Sequence, residues 1–94
     1  MAVLEKKYTC KSVILLNIVY DIAEMHKAKV TRLDRERLLI DTEMYGIRTE
    51  YVFRIAPLPT GTLVSVATEC QDASADRLIQ LMFAILENML SAFT

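Results

Sequence analysis

Few side chains in this 94-residue sequence have the types and spacing that catalysis or metal binding requires. His26 is the only histidine, and no cysteine or aspartate stands near it at the spacing of a triad or a metal site. Cys10 and Cys70 lie far apart without a C-x-x-C pair, so the sequence predicts neither a disulfide scaffold nor a zinc site. We therefore predict no catalytic residue, no metal and no cofactor. A helix cap is the favoured role for His26.

Two hydroxyl side chains have the arrangement of polar groups in an otherwise apolar pocket. Thr49 and Tyr51 fall on the same face of a strand whose other members on that face are Ile47, Phe53 and Ile55. Ligand pockets are lined mainly by apolar side chains with a few polar groups that orient the ligand. The pattern favours binding over catalysis, although Thr and Tyr are also ordinary strand residues.

The overall charge excludes a strong electrostatic attraction to nucleic acid or to anionic lipid. Eleven basic residues nearly balance twelve acidic ones, which gives a net charge of −1. The basic cluster at residues 27–37 contains no aromatic side chain on which bases could stack, so we predict a solvated sheet edge there and no nucleic-acid binding. The uncharged runs are too short for a spanning helix, and no secretion signal is recognised, so we expect a cytoplasmic protein without membrane insertion.

The first third of the chain predicts a strand followed by an amphipathic helix. Residues 3–9 are compatible with a short strand. Residues 12–26 follow a helical period, with Thr9 or Ser12 as the expected N-cap. The expected buried stripe of this helix consists of Leu15, Ile18, Val19, Ile22 and Met25.

Residues 29–70 change to a period of two and predict four antiparallel strands. The segment is interrupted at Asp34-Arg35, at Tyr45-Gly46 and at residues 57–61, which contain two prolines and a glycine. The best strand covers residues 47–55, where apolar or hydroxyl side chains alternate with charged ones. We therefore expect one buried and one exposed face in this meander.

The C-terminal segment predicts a helix with an unusually wide apolar surface. Asp72 or Ser74 is the expected N-cap, and Asp76 adds negative charge in the first turn. In residues 77–93 the polar side chains occupy an arc of only about 100°. The side chains expected to face the sheet are Leu78, Met82, Ile85 and Met89, and those expected to flank them are Ile79, Phe83, Leu86 and Leu90.

This order of elements predicts an α+β protein with a single domain over residues 1–94. We expect a strand, a helix, four strands and a helix, with both helices packed on one face of a curved antiparallel sheet. If the first strand pairs with the last, Cys10 and Cys70 lie at opposite ends of that pair and cannot form a disulfide within one chain.

The second half of the chain resembles the START-like, helix-grip superfamily of polyketide cyclases and lipid-transfer domains. The resemblance covers about residues 37–94 and lies in the run YVFRIAPLPTGTLVSV at residues 51–66, followed by the long apolar helix. It implies a cavity for a hydrophobic ligand between the last helix and the sheet. The chain departs from the superfamily in having fewer strands and only one helix after the first strand, so a reduced version with a small cavity is implied. No catalytic residue carries over.

Two functional hypotheses follow from these patterns. The first is a small binding protein that holds a hydrophobic molecule under the last helix, with Thr49, Tyr51, Phe53, Met82, Phe83 and Leu86 as the ligand-binding residues. The second is a homodimeric interaction protein in which the C-terminal helix packs against a second copy. The two are compatible, because a dimer can also hold a ligand. A cyclase-like enzyme is the least favoured alternative, since it depends on similarity of fold alone.

Overall fold

The computed structural model describes residues 2–70 and 74–92 of the chain. It contains five strands and two helices. In chain order these are β1 (Ala2–Tyr8), α1 (Ser12–Met25), β2 (Lys29–Arg32), β3 (Arg37–Met44), β4 (Ile47–Leu58), β5 (Gly61–Thr68) and α2 (Ala75–Ser91). The predicted α+β class and the predicted order of elements are confirmed.

The five strands form one antiparallel sheet in the order β1-β5-β4-β3-β2. Strands β2 to β5 are the predicted meander, and β1 joins it by pairing with β5. In that pair Tyr8 lies opposite Thr62 and Ala2 lies opposite Thr68. Cys10 and Cys70 therefore lie beyond opposite ends of the pair, and neither forms a disulfide within the described residues.

Two tight turns fix the register of the meander. Tyr45 and Gly46 both have positive φ angles, 54° and 80°, as a two-residue hairpin turn of type I′ requires. At the next turn a Cβ on Gly61 would overlap the carbonyl oxygen of Tyr8. Gly61 is therefore required for β1 to approach the start of β5.

The alternation predicted for β4 is present and divides the sheet into two unlike faces. Tyr51, Phe53 and Ile55 are buried under the helices, whereas Arg48 and Arg54 are exposed on the other side. Because β4 is the central strand, its buried side chains occupy the middle of the core.

Helix α1 differs from its prediction at both ends. Its N-cap is Lys11, which makes no side-chain capping bond, so the prediction of Thr9 or Ser12 as the cap was wrong. Met25 was predicted to be buried but is 63% exposed, and Ala23 takes its place in the buried stripe. Met25 is the last residue of the helix, directly before the turn that leads to β2.

The C-terminus of α1 is closed by a Schellman motif. The amide of Ala28 donates to the carbonyl of Ala23, and the amide of Lys27 donates to the carbonyl of Glu24. Lys27 adopts a φ of 52° at the position where glycine is usually found. His26 is the C-cap residue, which is the cap role that the sequence favoured.

Helix α2 begins at Ala75, with Ser74 as its N-cap residue, but Ser74 makes no side-chain capping bond. Asp76 lies in the first turn as predicted, whereas Asp72 and Phe93 lie outside the described residues. Leu78, Ile79, Met82, Phe83 and Leu86 are buried. Ile85, Met89 and Leu90 are only half-buried, so the residues predicted to flank the sheet contact are buried at least as deeply as those predicted to face it.

Both helices pack on the same face of the sheet and against each other. One hydrophobic core lies between the helices and that face. The large apolar side chains of α2 are therefore mostly covered by the sheet and by α1 within the same chain.

Candidate functional site

The predicted ligand-binding residues come together, but as parts of the packed core. Tyr51, Phe53, Met82, Phe83 and Leu86 all belong to the hydrophobic cluster between α2 and the sheet, and each is at most 1% exposed. None of these five side chains lines any of the three best-formed surface depressions of the described residues. Binding of a hydrophobic molecule here therefore requires the core to open.

One polar atom in this layer has no partner. The hydroxyl of Tyr51 is buried and makes no hydrogen bond to any described residue. Burial, together with the electrostatic effect of the Cys70 thiol, raises the pKa of Tyr51 to about 12, so the hydroxyl stays protonated. An unpaired buried hydroxyl costs free energy, and a bound polar group would recover it. Tyr51 is thus the only one of the five core residues with a capacity for specific recognition.

Thr49, the sixth predicted residue, lies at the edge of the core rather than inside it. Its hydroxyl lies 3.4 Å from that of Thr68, which donates to the carbonyl of Glu50 at 2.9 Å. Thr49 and Thr68 also line a depression of about 670 Å³ beside the start of β4 and the end of β5, together with Leu39, Val52 and Ala67. Thr49 therefore lies beside Thr68 at the edge of the core.

A polar cluster ties α2 to β1 near the other end of the sheet. The hydroxyl of Tyr8 and the Nζ of Lys6 donate to Oε2 of Glu87 at 2.7 and 3.2 Å. The hydroxyl and the ammonium hold the pKa of Glu87 below its ordinary value, while burial and the same carboxylate raise the pKa of Tyr8. Lys6 also lies over the ring of Phe83, with 5.3 Å from Nζ to the centroid. These groups are mutually satisfied, which indicates a structural role.

The sheet face opposite the helices, hereafter the open face, was predicted to be exposed, but the sequence did not predict its row of apolar side chains. Register places one residue of each strand in a central row across this face. This row, hereafter the apolar row, is apolar at four of its five positions and consists of Thr31, Leu39, Val52, Ala67 and Val3, in the order β2, β3, β4, β5, β1. Val3 is 57% exposed, and Leu39, Val52 and Ala67 are half-buried although neither helix packs on them.

Charged side chains border the apolar row on both sides. Arg37 and Arg54 are cross-strand neighbours on one side, and Asp41 and Glu50 are neighbours on the other. The row takes one residue from each of five strands, and the charged borders come from β3 and β4, so the alternation within any one strand could not identify them. Only the pairing register brings them together.

The remaining candidates form no reactive arrangement. His26 is half-buried as the C-cap of α1, and its carbonyl accepts a hydrogen bond from the hydroxyl of Thr42 at 3.3 Å. Within residues 2–70 and 74–92, no three His, Cys, Asp or Glu side chains lie together as metal ligands would. Neither described helix has the length and hydrophobicity needed to cross a membrane.

The fold and the site define an α+β protein with a five-stranded antiparallel sheet that is covered on one face. Comparison with models of known protein families gives no match for this chain. Comparison with curated protein sequences gives no match either. The resemblance to the START-like superfamily therefore remains a prediction from residues 37–94.

Proposed function

We propose that this protein is a small interaction protein that acts as a homodimer, with the open face of its sheet as the interface. The observation that carries the proposal is the uncovered apolar row, centred on Leu39 and Val52, in a sheet whose other face packs against both helices. Exposed apolar side chains that are contiguous across a surface and bordered by charges are typical of protein interfaces.

The open face is large enough for a dimer. Five strands about 4.8 Å apart and about seven residues long give a face of about 24 by 23 Å. Two such faces in contact bury on the order of 1,100 Å², which is above the roughly 1,000 Å² expected of a specific interface. A weak to moderate dimer is the expected result, because the area is close to the lower limit.

The C-terminal helix is the interface that the sequence favoured, and it remains the competing proposal. Its largest apolar side chains are used inside the chain, which leaves the half-buried Leu81, Ile85, Met89 and Leu90 for a partner. We place the interface on the open face because the row there is bordered by charges of both signs and contains the strongly exposed Val3.

The first experiment is sedimentation equilibrium of the wild-type chain over a range of concentrations. The proposal predicts a mass approaching twice 10.7 kDa at the higher concentrations and a reversible decrease on dilution. A mass of 10.7 kDa throughout that range would exclude a homodimer through either face.

A hydrophobic small molecule between α2 and the sheet is the second candidate function. The unpaired hydroxyl of Tyr51 favours it, because a ligand with one hydrogen-bonding group would satisfy that atom while its apolar part contacts Phe53, Met82 and Phe83. Native mass spectrometry of protein taken directly from its expression host tests this. An adduct that is retained by the wild type and lost in Tyr51→Phe supports the candidate, and wild-type protein without an adduct contradicts it.

A cytoplasmic location is part of both proposals.

A further inference from the structure

The charged residues of the two central strands, β3 and β4, are arranged asymmetrically about the apolar row of the open face. Relative to the apolar row, Arg37 and Arg54 lie on one side and Asp41 and Glu50 lie on the other. Val52 separates Glu50 from Arg54 along β4, so the two charged pairs are equally distant from the row. In β3 and β4 the residues next to the row are thus basic on one side and acidic on the other. The edge strands carry the opposite signs, with Lys29 of β2 beside Asp41 and Glu5 of β1 on the side of Arg54.

Two copies that meet face to face can be related by a two-fold axis along the strands or across them. With an axis along β4, the residues on one side of the apolar row meet the same side of the second copy. Arg54 then faces Arg54, and Glu50 faces Glu50. An axis across the strands, along the apolar row, exchanges the two sides. Arg54 then faces Glu50 of the second copy, and Arg37 faces Asp41. Charge complementarity selects the second arrangement.

The twist of the sheets does not disrupt this match. Packed sheets are rotated by about 30° relative to each other. Arg54 and Glu50 lie about 6.7 Å from Val52 along the strand, so such a rotation displaces them by only about 3.5 Å. That distance is within the reach of an arginine side chain. The match is strongest in the central strands, where the displacement is smallest.

Contacts within the chain leave Arg54 and Glu50 available for contacts with a second copy. Arg54 Nε lies 3.0 Å from Glu36, and the rest of its guanidinium can still donate. Arg37 Nε lies 2.7 Å from Asp34. In the described part of the chain the carboxylate of Glu50 has no ion-pair partner, while that of Asp41 lies 3.5 Å from Arg48. Glu50 is therefore the acid with most to gain from a second copy.

We infer that two copies of this chain pack open face to open face about a two-fold axis along the apolar row, with Arg54 of each copy opposite Glu50 of the other. This inference rests on the proposed function, because it names the orientation of that dimer. It requires neither a ligand nor the C-terminal helix.

The test uses two single charge reversals, Arg54→Glu and Glu50→Arg, in the full chain. Each variant places like charges opposite each other in its own homodimer, so we expect at least tenfold weaker self-association than in the wild type. In an equimolar mixture the like charges are replaced by opposite charges at both positions, so the two variants should form a heterodimer with close to wild-type affinity. Native mass spectrometry separates the homodimers from the heterodimer.

Matched controls carry the same reversals on exposed helix positions, Arg77→Glu on α2 and Glu24→Arg on α1. They should leave self-association unchanged, alone or mixed. Because Glu36 lies beside Arg54, Arg54→Glu is also made together with Glu36→Gln, which removes the new repulsion within the chain. Circular dichroism verifies that each variant is folded.

Each outcome bears on the inference. Recovery of the dimer in the mixture supports it. Single variants that dimerise as tightly as the wild type would overturn this orientation while leaving the homodimer in place. Single variants that lose the dimer and do not recover it on mixing would overturn the pairing of Arg54 with Glu50. A monomeric wild type would overturn the proposed function as well.

Discussion

At the scale of single residues, the Tyr51 hydroxyl differs from its neighbours because it is buried in the core without a hydrogen bond to any described residue. The hydroxyls of Thr42, Thr49 and Thr68 lie on the same face, and each has a partner. The sequence correctly placed Tyr51 on the buried face of β4. It could not show that the hydroxyl lacks a partner, because this depends on packing from several elements.

We predict that Tyr51→Phe stabilises the protein. The variant keeps the ring and removes the unpaired group, whose burial costs about 1–3 kcal/mol. Urea unfolding should show a free energy of unfolding higher by about 1 kcal/mol or more. A loss of stability would mean that a buried water or a ligand satisfies the hydroxyl.

At the scale of elements, the alternation of β4 and the helical periods of α1 and α2 were sufficient to predict the fold class and the order of elements. Helix ends were predicted less well. The N-cap of α1 is Lys11 instead of the predicted Thr9 or Ser12, and Met25, in the last turn of the helix, is exposed. Helix ends depend on backbone geometry that periodicity does not report.

Replacement of Lys27 by glycine is predicted to stabilise α1. Lys27 has a φ of 52° in the Schellman motif, and a side chain in that conformation costs about 1 kcal/mol relative to glycine. Thermal unfolding of Lys27→Gly should show a higher midpoint. Lys27→Ala is the control, since alanine meets the same steric penalty. An equal gain in both variants would contradict this explanation.

The contact between α2 and β1 is predicted to make stability depend on pH. The pKa of Glu87 is lowered by the Tyr8 hydroxyl and by Lys6, so its contribution is present above the ordinary glutamate value of about 4.5 and is lost as the pH falls below it. The difference in unfolding free energy between wild type and Glu87→Gln should therefore be larger at pH 7 than at pH 3.

The exposed Glu24, on α1, provides the control for that comparison. Glu24→Gln should change stability equally little at both pH values. If the Glu87→Gln difference were the same at pH 7 and pH 3, the hydrogen bonds to Glu87 would not stabilise the folded state.

At the scale of the whole molecule, the sheet has one face buried by two helices and one open face with an apolar row. The sequence predicted excess apolar surface on the C-terminal helix, but much of that surface is buried within the chain. The row is formed by Val3, Thr31, Leu39, Val52 and Ala67, which are brought together only by strand register.

The central claim is that the chain dimerises through this row, and it is tested most directly by sedimentation equilibrium of two matched variants. Val52→Lys changes the centre of the open face, and Leu81→Lys changes a half-buried position on α2 outside the core cluster. We predict that Val52→Lys sediments as a folded species of 10.7 kDa, while Leu81→Lys and the wild type approach twice that mass. A dimeric Val52→Lys together with a monomeric Leu81→Lys would contradict the claim and place the interface on α2.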